Sequence, residues 1–170
     1  MASRPCLLWP DPRLRTAAKP VEAITDDIRA IWEDTIDTME GVPGVGLGAN
    51  QIGVLQALAV VDCSDERGQA IRLANPEVIA SSDDLRTHKE GSPCLPGVSA
   101  KLKRPRVVTV RYMDDTGAVV ERAFEDLWST SVQHQIDHLA GRMYFDRLSK
   151  VKRDMLLRRA KKARIQQGDR

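Results

Sequence analysis

Apolar residues recur at helical spacing at Ile28, Ile31, Trp32, Ile36 and Met39, and that stripe predicts an amphipathic helix over 26–40. Thr25 is its predicted N-cap, Asp26 and Asp27 fill the first turn, and Gly41-Val42-Pro43-Gly44 is its stop. Residues 10–20 carry Pro10, Asp11, Pro12 and Pro20 and read as a loop. The apolar run over 56–62 predicts a buried strand, and 70–75 predicts another. Val107-Val108-Thr109-Val110-Arg111-Tyr112-Met113 is rich in β-branched residues and predicts a strand. The turn Asp114-Asp115-Thr116-Gly117 then returns the chain as a hairpin partner over 118–124. Helical spacing resumes over 127–139 and stops at Gly141. A last helix runs from about Leu148 to Ala163 on Val151, Met155, Leu156 and Leu157. Strand runs flanked by separate helices argue for an α+β fold.

A chain of 170 residues, 42% hydrophobic and 29% charged, can bury a core and is expected to form one domain; this composition excludes a disordered chain. No apolar run approaches the roughly 20 residues that span a bilayer. The patch Cys6-Leu7-Leu8-Trp9, broken by Pro10, is too short for a signal-peptide core, so the expected location is the cytoplasm, with no membrane partner. Three widely spaced cysteines (Cys6, Cys63, Cys94) make no disulfide framework and suit a reducing compartment. The formal charge of +2 hides a split. Residues 147–170 hold ten Lys or Arg against Asp154 and Asp169, a net +8, which leaves −6 on the rest. Such a tail is either a solvated helix face or a contact for an anionic partner.

The sharpest chemical feature is His134-Gln135-Ile136-Asp137-His138. Residues four apart lie about 40° apart around a helix, so both imidazoles can face one metal ion. In zinc hydrolases the residue after the first His is a Glu that serves as general base. Gln135 stands there, and an amide cannot take up a proton near neutral pH. The pair needs a third ligand, and the thiol of Cys94, in the turn-rich stretch Lys89-Glu90-Gly91-Ser92-Pro93-Cys94-Leu95-Pro96-Gly97, is the natural candidate. Cys6 and Cys63 read as small buried hydrophobes. Gly44-Val45-Gly46-Leu47-Gly48-Ala49-Asn50-Gln51 follows a helix and lacks the spacing of a nucleotide loop. Its glycines permit close backbone approach, and the Gln51 amide can donate to an oxyanion.

Together these segments resemble the peptide deformylase family over nearly the whole chain. Pro10 to Arg15 is similar to the family's start, and Gly44 to Gly53 to its first motif, GxGLAAxQ, with Gly48 for an alanine. Glu90-Gly91 opens the second motif, usually EGCLS; Gln133 to Gly141 follows the third, QHExDHLxG, except at Gln135; Met143 to Ser149 resembles the segment that follows. The resemblance implies antiparallel sheets around a central HExxH-type helix and removal of the formyl group from the initiator methionine of new polypeptides. It implies a divalent metal, ferrous iron with zinc or nickel as substitutes, held by the motif cysteine, here Cys94, with His134 and His138. Gln51 and the backbone N–H of Leu95 would stabilise the oxyanion, with Gln135 in the place of the catalytic Glu. Gly44, Val45, Gly46, Leu47 and Gly91 would line the formyl-methionyl peptide. A C-terminal helix in the family can dock on the ribosome, a role open to the basic tail.

Two positions depart from the pattern. Aligned on Glu90-Gly91, Ser92 falls where the ligand cysteine belongs, and Cys94 comes two residues late. In an extended segment i and i+2 share a face about 6.6 Å apart, which points Cys94 toward the same site unless Pro93 bulges the chain. Three arrangements are therefore open: Cys94 reaches the metal, Ser92 and water complete the shell, or no metal binds. The other departure is Gln135; general acid–base help is worth about 10²–10⁴-fold in rate, so a slow hydrolase and a non-catalytic binder of formyl-Met peptides or ribosomes are both readings of this chain. Asp137 and Glu90 are the carboxylates that could substitute, and a thiol hydrolase pairing Cys94 with His88 or His134 is a further option.

Overall fold

A computed structural model describes residues 2–168; Asp169 and Arg170, counted above in the basic tail, lie outside the described residues. Helix α1 (Asp26–Gly41) starts where the Thr25 hydroxyl accepts from the Ile28 N–H, as the cap signal predicts. Five strands, β1 (Gly46–Gly48), β2 (Leu58–Val61), β3 (Ile71–Ser81), β6 (Val107–Met113) and β7 (Val119–Glu125), form one antiparallel sheet in the order β1-β2-β3-β6-β7. Strands β4 (Leu85–Ser92) and β5 (Leu95–Pro105) form a separate antiparallel hairpin. Helix α2 (Asp126–Leu139) packs on the large sheet and reaches β5, and α3 (Lys150–Gly168) packs on β5. This is the expected α+β architecture.

Three apolar clusters hold these layers. Trp32 and Met39 of α1 meet Leu47, Leu58 and Val60 of the sheet. Val132 of α2 covers Val61, Leu73, Val110 and Phe124. Leu156 and Ala160 of α3 close over Leu95, Leu102, Leu14 and Phe145. Among the described residues no helix is long and apolar enough to cross a membrane.

Several expectations need correction. The strand read as 70–75 runs on to Ser81, carried past Asn75, at φ 51°, by irregular pairing with β6. The turn-rich stretch around Cys94 is the tip of the β4–β5 hairpin: Ser92 lies opposite Leu95, and Pro93-Cys94 is the two-residue turn. The last helix starts at Lys150 and continues past Ala163; Val151 and Met155, read as apolar-face residues, are 69% and 52% exposed. The glycine-rich segment is partly strand, forming the edge strand β1 before a single 3-10 turn, Ala49–Ile52.

Candidate functional site

Helix α2 presents Leu127, Thr130, Ser131, His134 and Gln135 along one face, the 3–4 spacing of adjacent turns. That face forms one wall of a cavity of about 380 Å³. The opposite walls are Val42 to Gly46, Gln51, and the β4 segment from His88 to Ser92 with Pro93. Such a volume suits a small ligand or the end of a peptide.

His134 and His138 lie side by side, their Nε2 atoms 3.1 Å apart. His134 Nδ1 is 2.8 Å from Glu90 Oε1, so this nitrogen donates to the carboxylate and Nε2 keeps its lone pair when the ring is neutral. Arg104, 1% exposed, grips Glu90 through Nε (2.7 Å) and Nη2 (2.9 Å), and donates from Nη1 to Asp137 Oδ2 (3.0 Å). Arg147 adds two bonds to Asp137, at 2.7 and 2.8 Å. Burial pushes both carboxyls up, but the bonds from His134, Arg104 and Arg147 and the arginine charges outweigh it and hold both below the usual carboxylate range. Glu90 and Asp137 are thus ionised structural anions, already spoken for as bases. Burial, then the neighbouring His134, pushes fully buried His138 far below the usual histidine value, so it is a neutral imidazole. The Asn50 amide donates to the His138 carbonyl at 2.6 Å and ties the end of α2 to the 3-10 turn.

Gly46 permits the close approach of β1 to α2. A Cβ on it would stand 2.5 Å from Ser131 Oγ and 2.7 Å from Gln135 Nε2. Ser131 Oγ also donates to the Val45 carbonyl at 2.8 Å. Gln135 Oε1 is buried without a hydrogen-bond partner.

The sequence-predicted residues separate into two groups. Gln51, Gly44, Val45, Gly46, Gly91, His134 and Gln135 all line this cavity, and His138 stands beside His134. Leu47 is instead a fully buried core residue of the first apolar cluster. Cys94 and Leu95 do not line the cavity; both face a different one, with Trp9 and Leu157. The Cys94 thiol accepts from Gln51 Nε2 at 3.4 Å, and burial raises it above the usual thiol value. Among the described residues no three His, Cys, Asp or Glu side chains come together as a metal site. The chain turns at Pro93 and Cys94, so the extended geometry in which positions i and i+2 share a face does not apply there. Ser92 holds the corner, and its hydroxyl accepts the Cys94 N–H at 3.2 Å. Pro93, which follows it in the cavity wall, has no N–H to offer an oxyanion. Gln51 is held ready by the loop: its Oε1 accepts the Gly48 N–H at 2.9 Å, and its amide carries a second N–H beside the one given to Cys94. His88 lines this cavity, whereas Cys94 lines the other one. Sequence reasoning missed Arg104 and Asn50.

Two imidazoles with converging Nε2 atoms, His138 neutral and His134 braced by the Glu90 carboxylate, fit two corners of a divalent-metal site. The donor that the end of β4 brings to this wall is the Ser92 hydroxyl, a poor ligand for borderline ions.

The family model described as Polypeptide deformylase matches residues 3–154. A peptide deformylase of Rhizobium meliloti (strain 1021) is 41% identical over 170 residues, covering 99% of this chain and 98% of that protein. One from Bartonella henselae is 42% identical over 164 residues, covering 95% and 93%. The crystal structure of a peptide deformylase from Legionella pneumophila superposes with a TM-score of 0.92 at 37% identity, covering 99% of each chain. That of Ehrlichia chaffeensis peptide deformylase in complex with actinonin gives 0.89 at 28% identity, covering 99% of each.

Proposed function

The chain belongs to the polypeptide deformylase family, and from that premise we propose that it removes the N-formyl group from the methionine of new polypeptides in the cytoplasm, at a reduced rate. The observation that carries the reading is the His134–His138 pair beside a cavity rimmed by the β1 edge strand, a shape that takes the end of an extended peptide. Family members depend on a divalent metal; here His134 and His138 would hold it, and it would supply Lewis-acid polarisation of the formyl carbonyl.

The chain's own residues divide the remaining work. Glu90 fixes the His134 tautomer, and Arg104 fixes Glu90. Gln51 offers an N–H toward the negative charge that develops on the formyl oxygen. Gln135 positions a water or the formyl group by hydrogen bonds but cannot carry a proton. Neither Glu90 nor Asp137 stands in for it, because both are tied up by arginines.

A second reading, a binder of formyl-methionyl peptides without turnover, is favoured by one specific observation. Ser92, Pro93 and Gln135, all in the cavity wall, lack the thiolate, the N–H and the base that hydrolysis would use there. An assay with a formyl-Met peptide on wild type and Gln135→Glu decides between them. Slow wild-type turnover, raised by about 10²–10⁴-fold in Gln135→Glu, supports the deformylase. Saturable peptide binding with no turnover in either protein supports the binder.

The exposed cations of α3 are proposed to meet ribosomal RNA. Reversing Arg158 and Lys162, both exposed, should weaken ribosome co-sedimentation and flatten its salt dependence. Unchanged co-sedimentation removes that role.

A further inference from the structure

A separate cavity of about 310 Å³ lies between the N-terminal segment, the hairpin tip and α3. Its walls are apolar: Trp9, Leu95 and Leu157 with the buried Cys94. Its charged lining residues are Lys161 and Arg164 of α3, both exposed, and none of the lining is acidic. Arg164 Nη1 donates to the Trp9 carbonyl at 3.3 Å, which holds that guanidinium at the mouth. An apolar slot with cations along one edge is complementary to one class of molecule, a short apolar chain ending in an anion. The volume is at the lower end of about 300–1,000 Å³, the usual size of a small-molecule site.

Cys94 also lies between this slot and the first cavity. It lines the slot, while its thiol accepts the Gln51 amide N–H, and Gln51 lines the first cavity. Its carbonyl accepts the Trp9 N–H at 2.8 Å, so the slot's two sides meet at this residue.

We propose that the slot binds an amphipathic carboxylate, the chain against Trp9, Leu95 and Leu157 and the head between Lys161 and Arg164, and that occupancy is felt at Gln51 through Cys94. The binding stands on this cavity alone and does not depend on the deformylase reading.

The test is titration of the full chain with octanoate, followed by two-dimensional NMR. Saturable binding below about 1 mM is expected, with shifts at the Trp9 indole N–H and the Gln51 side-chain amide. Octanol and octylammonium, with the same chain and no negative head, should bind at least roughly tenfold more weakly. The surface variant Lys161→Glu/Arg164→Glu should lose a similar factor for octanoate and keep its native spectrum. In Cys94→Ala the Trp9 shift should remain and the Gln51 shift should disappear. No saturable binding, or equal binding of octanol and octylammonium, overturns the site. Retention on anionic vesicles with no response to octanoate also overturns it. A Gln51 shift that persists in Cys94→Ala overturns the coupling.

Discussion

Arg104 holds Glu90 by two parallel hydrogen bonds, 2.7 and 2.9 Å long, in a place where both side chains are almost fully buried. The pair is the keystone of a chain that runs from Asp137 through Arg104 and Glu90 to His134. Removing one member of such a pair leaves a buried charge without a partner. Arg104→Ala is expected to lose about 3–5 kcal/mol of stability, measured by urea unfolding at neutral pH. Arg104→Lys should lose nearly as much, because an ammonium cannot make the forked contact.

The placement of Ser92 and Cys94 predicts their metal chemistry. Ser92 lies in the wall with His134, whereas Cys94 faces the other side of the turn. Ser92→Cys should tighten zinc binding at least about tenfold, equivalent to about 1.4 kcal/mol, in a competition titration with a chromophoric chelator. Cys94→Ser should leave the zinc affinity where it was. A loss of zinc in Cys94→Ser would return that thiol to the metal.

How far the sequence led can be seen at particular residues. Helix α1, its Thr25 cap and the β6–β7 hairpin are set by local signals, and the structure has them within a few residues of their expected bounds. The His134–His138 pairing follows from helical geometry alone. The β4–β5 hairpin was not legible because its inward positions include charged groups. Glu90 and Arg104 face inward, next to the exposed Lys89 and Lys103, so part of the alternation of a half-buried strand is written in buried charges rather than in apolar residues. The site of the Cys94 thiol was also beyond local reasoning. Its direction depends on the Pro93-Cys94 turn and on the packing of α3 over the tip, where a Cβ on Gly97 would stand 2.9 Å from Ala163 Cβ.

Gly46 tests the shape of the site. An added methyl group would collide with Ser131 Oγ and the Gln135 amide, both in the cavity wall. Gly46→Ala should therefore push β1 and α2 apart, at a cost of about 1–3 kcal/mol, and weaken binding of a formyl-Met peptide more than it lowers stability. Calorimetric titration with the peptide beside thermal unfolding checks both. Undiminished peptide affinity would place the peptide away from β1.

The thiols predict a pH profile. Burial, and for Cys6 the neighbouring Cys94, pushes Cys6 up to about 11; burial outweighs the help of Ser131 and pushes Cys63 up to about 11 as well. Only the thiolate reacts with an alkylating agent, so a raised value keeps both groups in the unreactive neutral form through the physiological range. At pH 8 only about one molecule in a thousand carries the thiolate at either position. Alkylation of the native protein by iodoacetamide should be slow at pH 8 and rise roughly tenfold per pH unit up to about pH 10. Cys94, 1% exposed, should stay unmodified until the protein is unfolded. Peptide-level mass spectrometry across the pH series resolves the three sites. A plateau for Cys6 or Cys63 already reached near pH 9 would mean that its thiol is as free as one in solvent.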